Sequence, residues 1–426
     1  MAKVVIIGGG WSGCAAAITA KKAGAEVVIL EKTDLLLGLG NVGGIMRNNG
    51  RFTAAEELIA LGAGELIAIT DQATRHKNVN FPGHKHAYLY DVTKVEPLVR
   101  QKLSEMGITI KLETRAINVN KEDKTLKSIV LADGSVEEGD VFVETTGSTG
   151  PMGNCLRYGS GCCMCILRCP SYGPRVSISQ RAGVEDLLGQ RGDEIYGAYS
   201  GSCKLAKNSL GKEIADKLDR DGVAIVSIPA EDVNLKKLEY KVCQQYALKE
   251  FAENIILLDT GYAKLMTSYY PLEKLRKIPG FEFARYDDPY SGGKGNSIRY
   301  LSMAPRNNAL KVEGLQNLLC AGEKSGLFVG HTEAMCTGSL AGHNAVRVYL
   351  GMPLLELPRS LAIGDLIAYA NEKIKTREGL KNRYTFSGGE YFKQMVNKGL
   401  YTIDVEAIKH RVERLGLTDI LGQKLL

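Results

Sequence analysis

The stretch KVVIIGGGWSGCAAAITAKKAGAEVVILEK, residues 3–32, decides the fold. Lys3 to Ile7 is a short apolar, β-branched run of strand type, and three glycines stop it. The alanine-rich run from about Ser12 to Ala23 predicts a helix, and Glu26 to Glu31 predicts a second strand, so the segment reads as one βαβ unit. Gly8, Gly10 and Gly13 stand in G-x-G-x-x-G spacing. The first permits the tight turn, the second lets backbone approach a pyrophosphate, and the third lets the helix pack on the strand. Glu31 closes the second strand eighteen residues after Gly13, with Lys32 beside it, where a carboxylate accepts hydrogen bonds from a ribose. Strand, glycines, helix and acid agree on a dinucleotide site.

Working outward, GDVFVETTGSTG (139–150) reads as a buried strand ending in Thr-Gly at Gly147. EGLQNLLCAGEKSGLFVGHTEAMCTGSLAGHNAVRVYLG (313–351) reads as a strand, a glycine turn and a long helix of small residues. Both resemble the second and third signatures of FAD-containing oxidoreductases of the glutathione-reductase type. The resemblance implies FAD as cofactor and puts Gly322 and Glu323 against the flavin's phosphate or ribityl chain. It also implies a helix starting near Thr332 whose N-terminal dipole faces the flavin. The spacing of Ala334, Gly338, Ala341, Gly342 and Ala345 equally suits close helix packing.

Three segments narrow the likeness. GLQNLLCAGEKSGLFVGHTEAMCTGSLAGHNAVR (314–347), RCPSYGPRVSI (168–178) and RYTFSGGEYFKQM (383–395) are similar to the glucose-inhibited division protein A family and the related folate- and FAD-dependent tRNA uridine methyltransferases. That resemblance implies Cys169 as a thiol acting on uridine. NVGGIMRNNGRF (41–52) carries no cysteine where the methyltransferases have a thiol near the flavin, and no long helical tRNA-binding region follows in the chain. RNA is therefore set behind a small-molecule or protein redox partner, with a homodimer left open.

NCLRYGSGCCMCILRCPSYGPR (154–175) gathers Cys155, Cys162, Cys163, Cys165 and Cys169. Cys162, Cys165, Cys169 and Pro170 spell C-x2-C-x3-C-P, the tail of the bacterial ferredoxin ligand run, and Cys155 supplies a fourth thiolate. The leading expectation is a [4Fe-4S] cluster on these four cysteines, with Cys163 spare. Beside a flavin it gives an iron-sulfur oxidoreductase moving electrons between NAD(P)H or a protein donor and an acceptor the sequence does not name. A redox dithiol, a nucleophilic Cys169 in an RNA-uridine-modifying flavoenzyme, and inert cysteines remain the alternatives.

Other candidates are weaker. His331 and Glu333 border the flavin-facing helix and are placed to move protons. Cys14 opens the glycine-loop helix, whose dipole would lower its pKa. Cys203, Cys243, Cys320 and Cys336 are scattered and read as small buried residues. His84 and His86 suggest no metal. KIKTREGLKNR (373–383) carries five basic residues and one acid, with Tyr384 and Phe386 beyond, a pattern of a solvated face or an RNA contact.

The 426 residues carry 54 basic and 48 acidic side chains, a formal charge of +6 that does not by itself announce a nucleic-acid partner. No apolar run approaches the length a membrane helix needs, so a cytoplasmic protein is expected. The fold class expected is α/β: a discontinuous FAD-binding Rossmann domain of glutathione-reductase type (1–150 and 310–350), an inserted α+β substrate domain (151–309) and a helical C-terminal region (351–426).

Overall fold

The computed structural model describes residues 2–147, 172–192, 195–196, 198–199, 203–241, 243–267, 270–287, 298–299 and 301–426. A five-stranded sheet, ordered Leu318–Cys320, Val141–Glu144, Lys3–Ile7, Glu26–Leu30 and Thr109–Lys111, forms its centre, and every pairing in it is parallel. The chain's first strand lies in the middle, so its carboxyl end opens where the connections diverge to either side. Ligands bind at such switch points.

The first strand has no polar face because both faces are covered. Val4 and Ile6 pack with the helices Trp11–Lys22 and His331–Tyr349, while Val5 and Ile7 pack on the other side with Leu126, Ile129 and Leu131 of an antiparallel meander, Ala116–Glu122, Thr125–Leu131 and Val136–Glu138. The two helices press together through small residues. A Cβ on Gly338 would lie 2.2 Å from the Ser12 carbonyl oxygen, and one on Gly342 2.1 Å from that of Ala16. Thr19 ties the pair by donating its hydroxyl to the Ser339 carbonyl at 2.8 Å.

A second layer faces the carboxyl ends of the parallel strands. It is a four-stranded antiparallel sheet, ordered Cys203–Leu205, Ala263–Leu265, Asn254–Asp259 and Val223–Ser227, and it shares a core with a three-stranded sheet, Ile45–Met46, His84–Tyr90 and Thr74–Phe81. This layer thus draws on residues 45–90 as well as on the later insertion. Phe81, Leu89, Ile256 and Met266 form the joint. Helices Ala362–Lys373, Gly389–Asn397 and Val405–Arg414 follow, the first anchored where its Ala362 and Ile363 amides donate to the buried Glu57 carboxylate. Among the described residues no helix is long and apolar enough to cross a membrane.

Candidate functional site

Between the two layers runs a cleft, open to solvent at its mouth and lined from the glycine loop on one side to Lys241 and Met266 on the other.

The near wall is the glycine loop. Gly8 has φ +106°, and a Cβ there would meet the Thr145 carbonyl oxygen at 2.6 Å. A Cβ on Gly13 would lie 1.9 Å from the Gly8 carbonyl oxygen, whereas one on Gly10 would meet nothing within 4 Å and project into the cleft. Three glycines thus have three reasons: backbone twist, helix packing and room for a ligand. The helix that follows has no side-chain cap, and its N-terminal amides open toward the cleft. Glu31 is buried and lines the cleft. One carboxylate oxygen accepts from the Gly9 amide (2.7 Å), the other from the amide and hydroxyl of Thr33 (2.9 and 2.8 Å), which fixes its position at the end of the second strand. Lys32, Gly147, Gly322 and Glu323 also line the cleft. Lys32 donates to the Gly173 carbonyl at 3.1 Å.

The helix near the flavin signature starts at His331, and its first residues diverge in role. His331 lines the cleft with its ring against Gly43, where a Cβ would lie 1.9 Å from the ring. The Tyr90 hydroxyl donates to the Gly40 carbonyl (2.7 Å) and lies 3.0 Å from His331 Nδ1, so Nδ1 carries the proton toward Tyr90 in the neutral ring. Thr332 is wholly buried beside Met46 and does not line the cleft. Glu333 does not line it either. Its carboxylate accepts from Arg51 Nε (3.1 Å), the Thr385 hydroxyl (2.6 Å) and the Phe386 amide (2.9 Å), so it is the clamp joining three segments, with no open side for moving protons.

The far wall holds what spacing could not announce: Lys241, Cys243, Gln245, Tyr246, Lys264 and Met266. Lys241 is buried, and burial pushes its ammonium down to about 8. Among the described cysteines, Cys243 lines the cleft, while Cys14, Cys203, Cys320 and Cys336 are buried. The expected lowering of Cys14 by the helix dipole is reversed. Burial, then the Glu31 carboxylate, push its thiol well up, and it donates to the Gly9 carbonyl. His84 is buried, with Asn48 donating to Nδ1 and Nε2 donating to the Gln245 carbonyl, a structural role. Lys32, Arg51, Arg115, Arg175, Lys241 and Lys264 line the cleft against Glu31 and Glu323 as its carboxylates, so the site favours an anionic ligand.

Cys155, Cys162, Cys165 and Cys169 lie outside the described residues. Among the described residues no group of three or more His, Cys, Asp or Glu stands where it would hold a metal ion. The late basic run does not form a stacking platform: Tyr384 and Phe386 are fully buried, Arg383 is buried with its guanidinium on the Gln190 carbonyl (2.8 Å), and Lys373 pairs with Glu390 (2.7 Å).

The family model of glucose inhibited division protein A matches residues 3–259 and 236–353. The chain belongs to the glucose-inhibited division protein A family. Within it, the chain is 33% identical over 200 residues, 46% of its length and 43% of the relative's, to a methylenetetrahydrofolate–tRNA-(uracil-5-)-methyltransferase of Dictyoglomus turgidum. It is 33% identical over 121 residues, 28% of its length and 19% of the relative's, to a tRNA uridine 5-carboxymethylaminomethyl modification enzyme of Metamycoplasma arthritidis. The matches thus span less than half the length of these curated relatives. The solved structure of Aquifex aeolicus GidA superposes with a TM-score of 0.67 at 16% identity, over all of this chain and 74% of that one, and shares the fold. Family membership corrects two expectations: the chain is not an iron-sulfur electron carrier by kinship, and RNA moves ahead of a redox protein as the partner class, because the family's tRNA-modifying members are its matched relatives.

Proposed function

We propose that this chain is an FAD-dependent enzyme that modifies uridine in tRNA. The observation that carries the reading is the cleft itself. In a chain of this family, it joins a near wall shaped for a dinucleotide to a basic far wall, and the matched relatives act, by their names, on tRNA uridine.

The residues fit FAD. The open face of Gly10 leaves space where backbone meets a pyrophosphate, and the uncapped helix end behind it favours the negative charge. Gly8 and Gly13 shape that turn, Glu31 receives a ribose hydroxyl, Lys32 stands beside it, and Gly147, Gly322 and Glu323 border the ribityl chain. Bound there, FAD supplies two-electron transfer at its ring. The chain's own residues do the rest. His331, held by Tyr90 through Nδ1, presents Nε2 as the group that accepts a proton at the cleft, and Arg51 keeps its charge there through its pair with Glu333. The far wall excludes water with Tyr246 and Met266. The thiol that acts on uridine falls to Cys169, by resemblance to the family, or to Cys243, which lines the cleft.

The test is isolation of the protein with its flavin and titration with tRNA over a range of salt. The reading expects a yellow protein that releases FAD on denaturation and binds tRNA with a log-linear loss of affinity in salt. A colourless protein that takes up no added FAD would contradict it.

A further inference from the structure

The far wall holds two polar groups whose hydrogen-bonding capacity the described residues do not fill. Gln245 is 4% exposed and lines the cleft, yet among the described residues its Oε1 has no hydrogen-bond partner. A buried acceptor left unsatisfied is destabilising, so a donor arriving from the cleft is the natural partner. Its position is fixed from behind: His84 Nε2 donates to the Gln245 carbonyl at 3.0 Å, and the His84 ring is held by Asn48 (2.9 Å) and stacked on Phe81 (4.8 Å between centroids). Four residues earlier, Lys241 is likewise 4% exposed and lines the same cleft. It donates to the Met266 carbonyl at 2.9 Å and lies 5.2 Å from the centre of the Phe251 ring, and among the described residues no other hydrogen-bond acceptor meets its remaining N–H groups. Among the described residues no carboxylate pairs with it, and its titratable electrostatic neighbours are the Cys243 thiol and the His84 ring.

A cationic donor and a neutral acceptor lining one cleft narrow the ligand chemistry. A phosphate or carboxylate would satisfy Lys241 and set its lone pairs against Gln245 Oε1. A group presenting C=O next to N–H satisfies both. The 2,4-dione edge of a pyrimidine ring has that pattern, whereas cytosine lacks the N3–H. We propose that Lys241 and Gln245 are the specificity pair that reads the imide edge of a pyrimidine-2,4-dione ring in this cleft, whether the ring belongs to the flavin or to uracil. The proposal deepens, and rests on, the reading of the chain as a uridine-modifying flavoenzyme.

The test uses the full chain and N3-methylated ligands, which remove the N–H without touching the protein. FAD and 3-methyl-FAD are titrated into flavin-free protein; uridine, 3-methyluridine and cytidine 5′-monophosphates are titrated into FAD-loaded protein. The same series is run on Lys241→Met and Gln245→Leu. If the flavin supplies the ring, 3-methyl-FAD binds the parent more weakly than FAD by roughly tenfold or more, and both variants lose that discrimination. If uracil supplies it, the two flavins bind alike, uridine monophosphate outcompetes its 3-methyl and cytidine counterparts by a similar factor, and the variants lose that preference instead. Either result supports the pair. Indifference of the parent to N3-methylation in both rings, or variants that keep the discrimination, overturns it while leaving the flavoenzyme reading intact. A parent that binds no FAD at all overturns that reading, and this inference with it.

Discussion

The near wall of the cleft is mostly backbone and the far wall is mostly side chain. On the near wall, glycines at fixed spacing create a turn, a helix contact and an open face, and the chemistry follows from where Cβ atoms are missing. On the far wall, Lys241, Cys243, Gln245 and Tyr246 meet the cleft from the segment that runs into the 3-10 turn Gln244–Tyr246, held by the His84 ring and the Met266 carbonyl. The first wall is a local property of thirty residues. The second exists only once two sheets have packed on one another through Phe81, Leu89, Ile256 and Met266.

The largest effect falls at the clamp around Glu333, behind the cleft. Glu333→Ala leaves Arg51, 2% exposed, without its counter-charge, and removing one partner of a buried ion pair costs about 3–5 kcal/mol. Urea denaturation should show a loss of that size, with part of it recovered in the Arg51→Met, Glu333→Ala double variant. A Glu333→Ala protein of parental stability would return Glu333 to the list of proton carriers.

Gly13→Ala comes next. Its Cβ would meet the Gly8 carbonyl oxygen at 1.9 Å, a clash with backbone that no side-chain rotation relieves, and overpacking of this kind costs roughly 1–3 kcal/mol or more. Denaturant midpoints measure it directly. Gly10, three residues earlier in the same motif, should respond in the opposite way, as described below.

A smaller effect comes from His84, whose burial lowers its pKa from 6.5 to about 3. Because the folded ring stays neutral while the unfolded one takes a proton, this group's contribution is complete above about pH 6.5 and is lost as pH falls toward 3, by up to about 1.4 kcal/mol per pH unit. Glu57 works the other way: burial raises it from 4.5 to about 7, so keeping it in the fold costs progressively more as pH rises across that interval. The parent's net slope is therefore muted, and the informative quantity is parent minus His84→Asn. That difference should shrink steadily as pH is lowered from 6.5 to 4.5. A constant difference would mean that the ring is protonated in the folded protein.

The smallest effect on stability, and the clearest on function, belongs to Gly10→Val. Nothing lies within 4 Å of its Cβ, so the melting temperature should stay near that of the FAD-free parent while FAD binding is lost. Retained stoichiometric flavin would remove the glycine loop from the cofactor site.

What the sequence made legible follows the same division. The strands Lys3–Ile7 and Glu26–Leu30, the helix between them and the long helix from His331 were readable because local periodicity and glycine spacing determine them. Glu31 was readable because it closes a strand. Thr332 and Glu333 follow His331 directly on the same helix and carry equally polar side chains, and only packing shows that His331 meets the cleft while its two neighbours turn into the core. Tyr384 and Phe386 were misread for the same reason, aromatic residues after a basic run being indistinguishable in sequence from core residues. Cys243 and Gln245 carried no signal at all, since nothing in their spacing records that residues 45–90 return to pack against them.

The central claim, a flavin-dependent modification of tRNA uridine, is tested most directly by mass spectrometry of nucleosides from total tRNA of cells lacking this gene, beside cells complemented with the parent chain or with Gly10→Val. The account predicts that one modified uridine disappears in the deletion, returns with the parent and does not return with Gly10→Val. Identical uridine profiles in all four samples, wild type included, would contradict it.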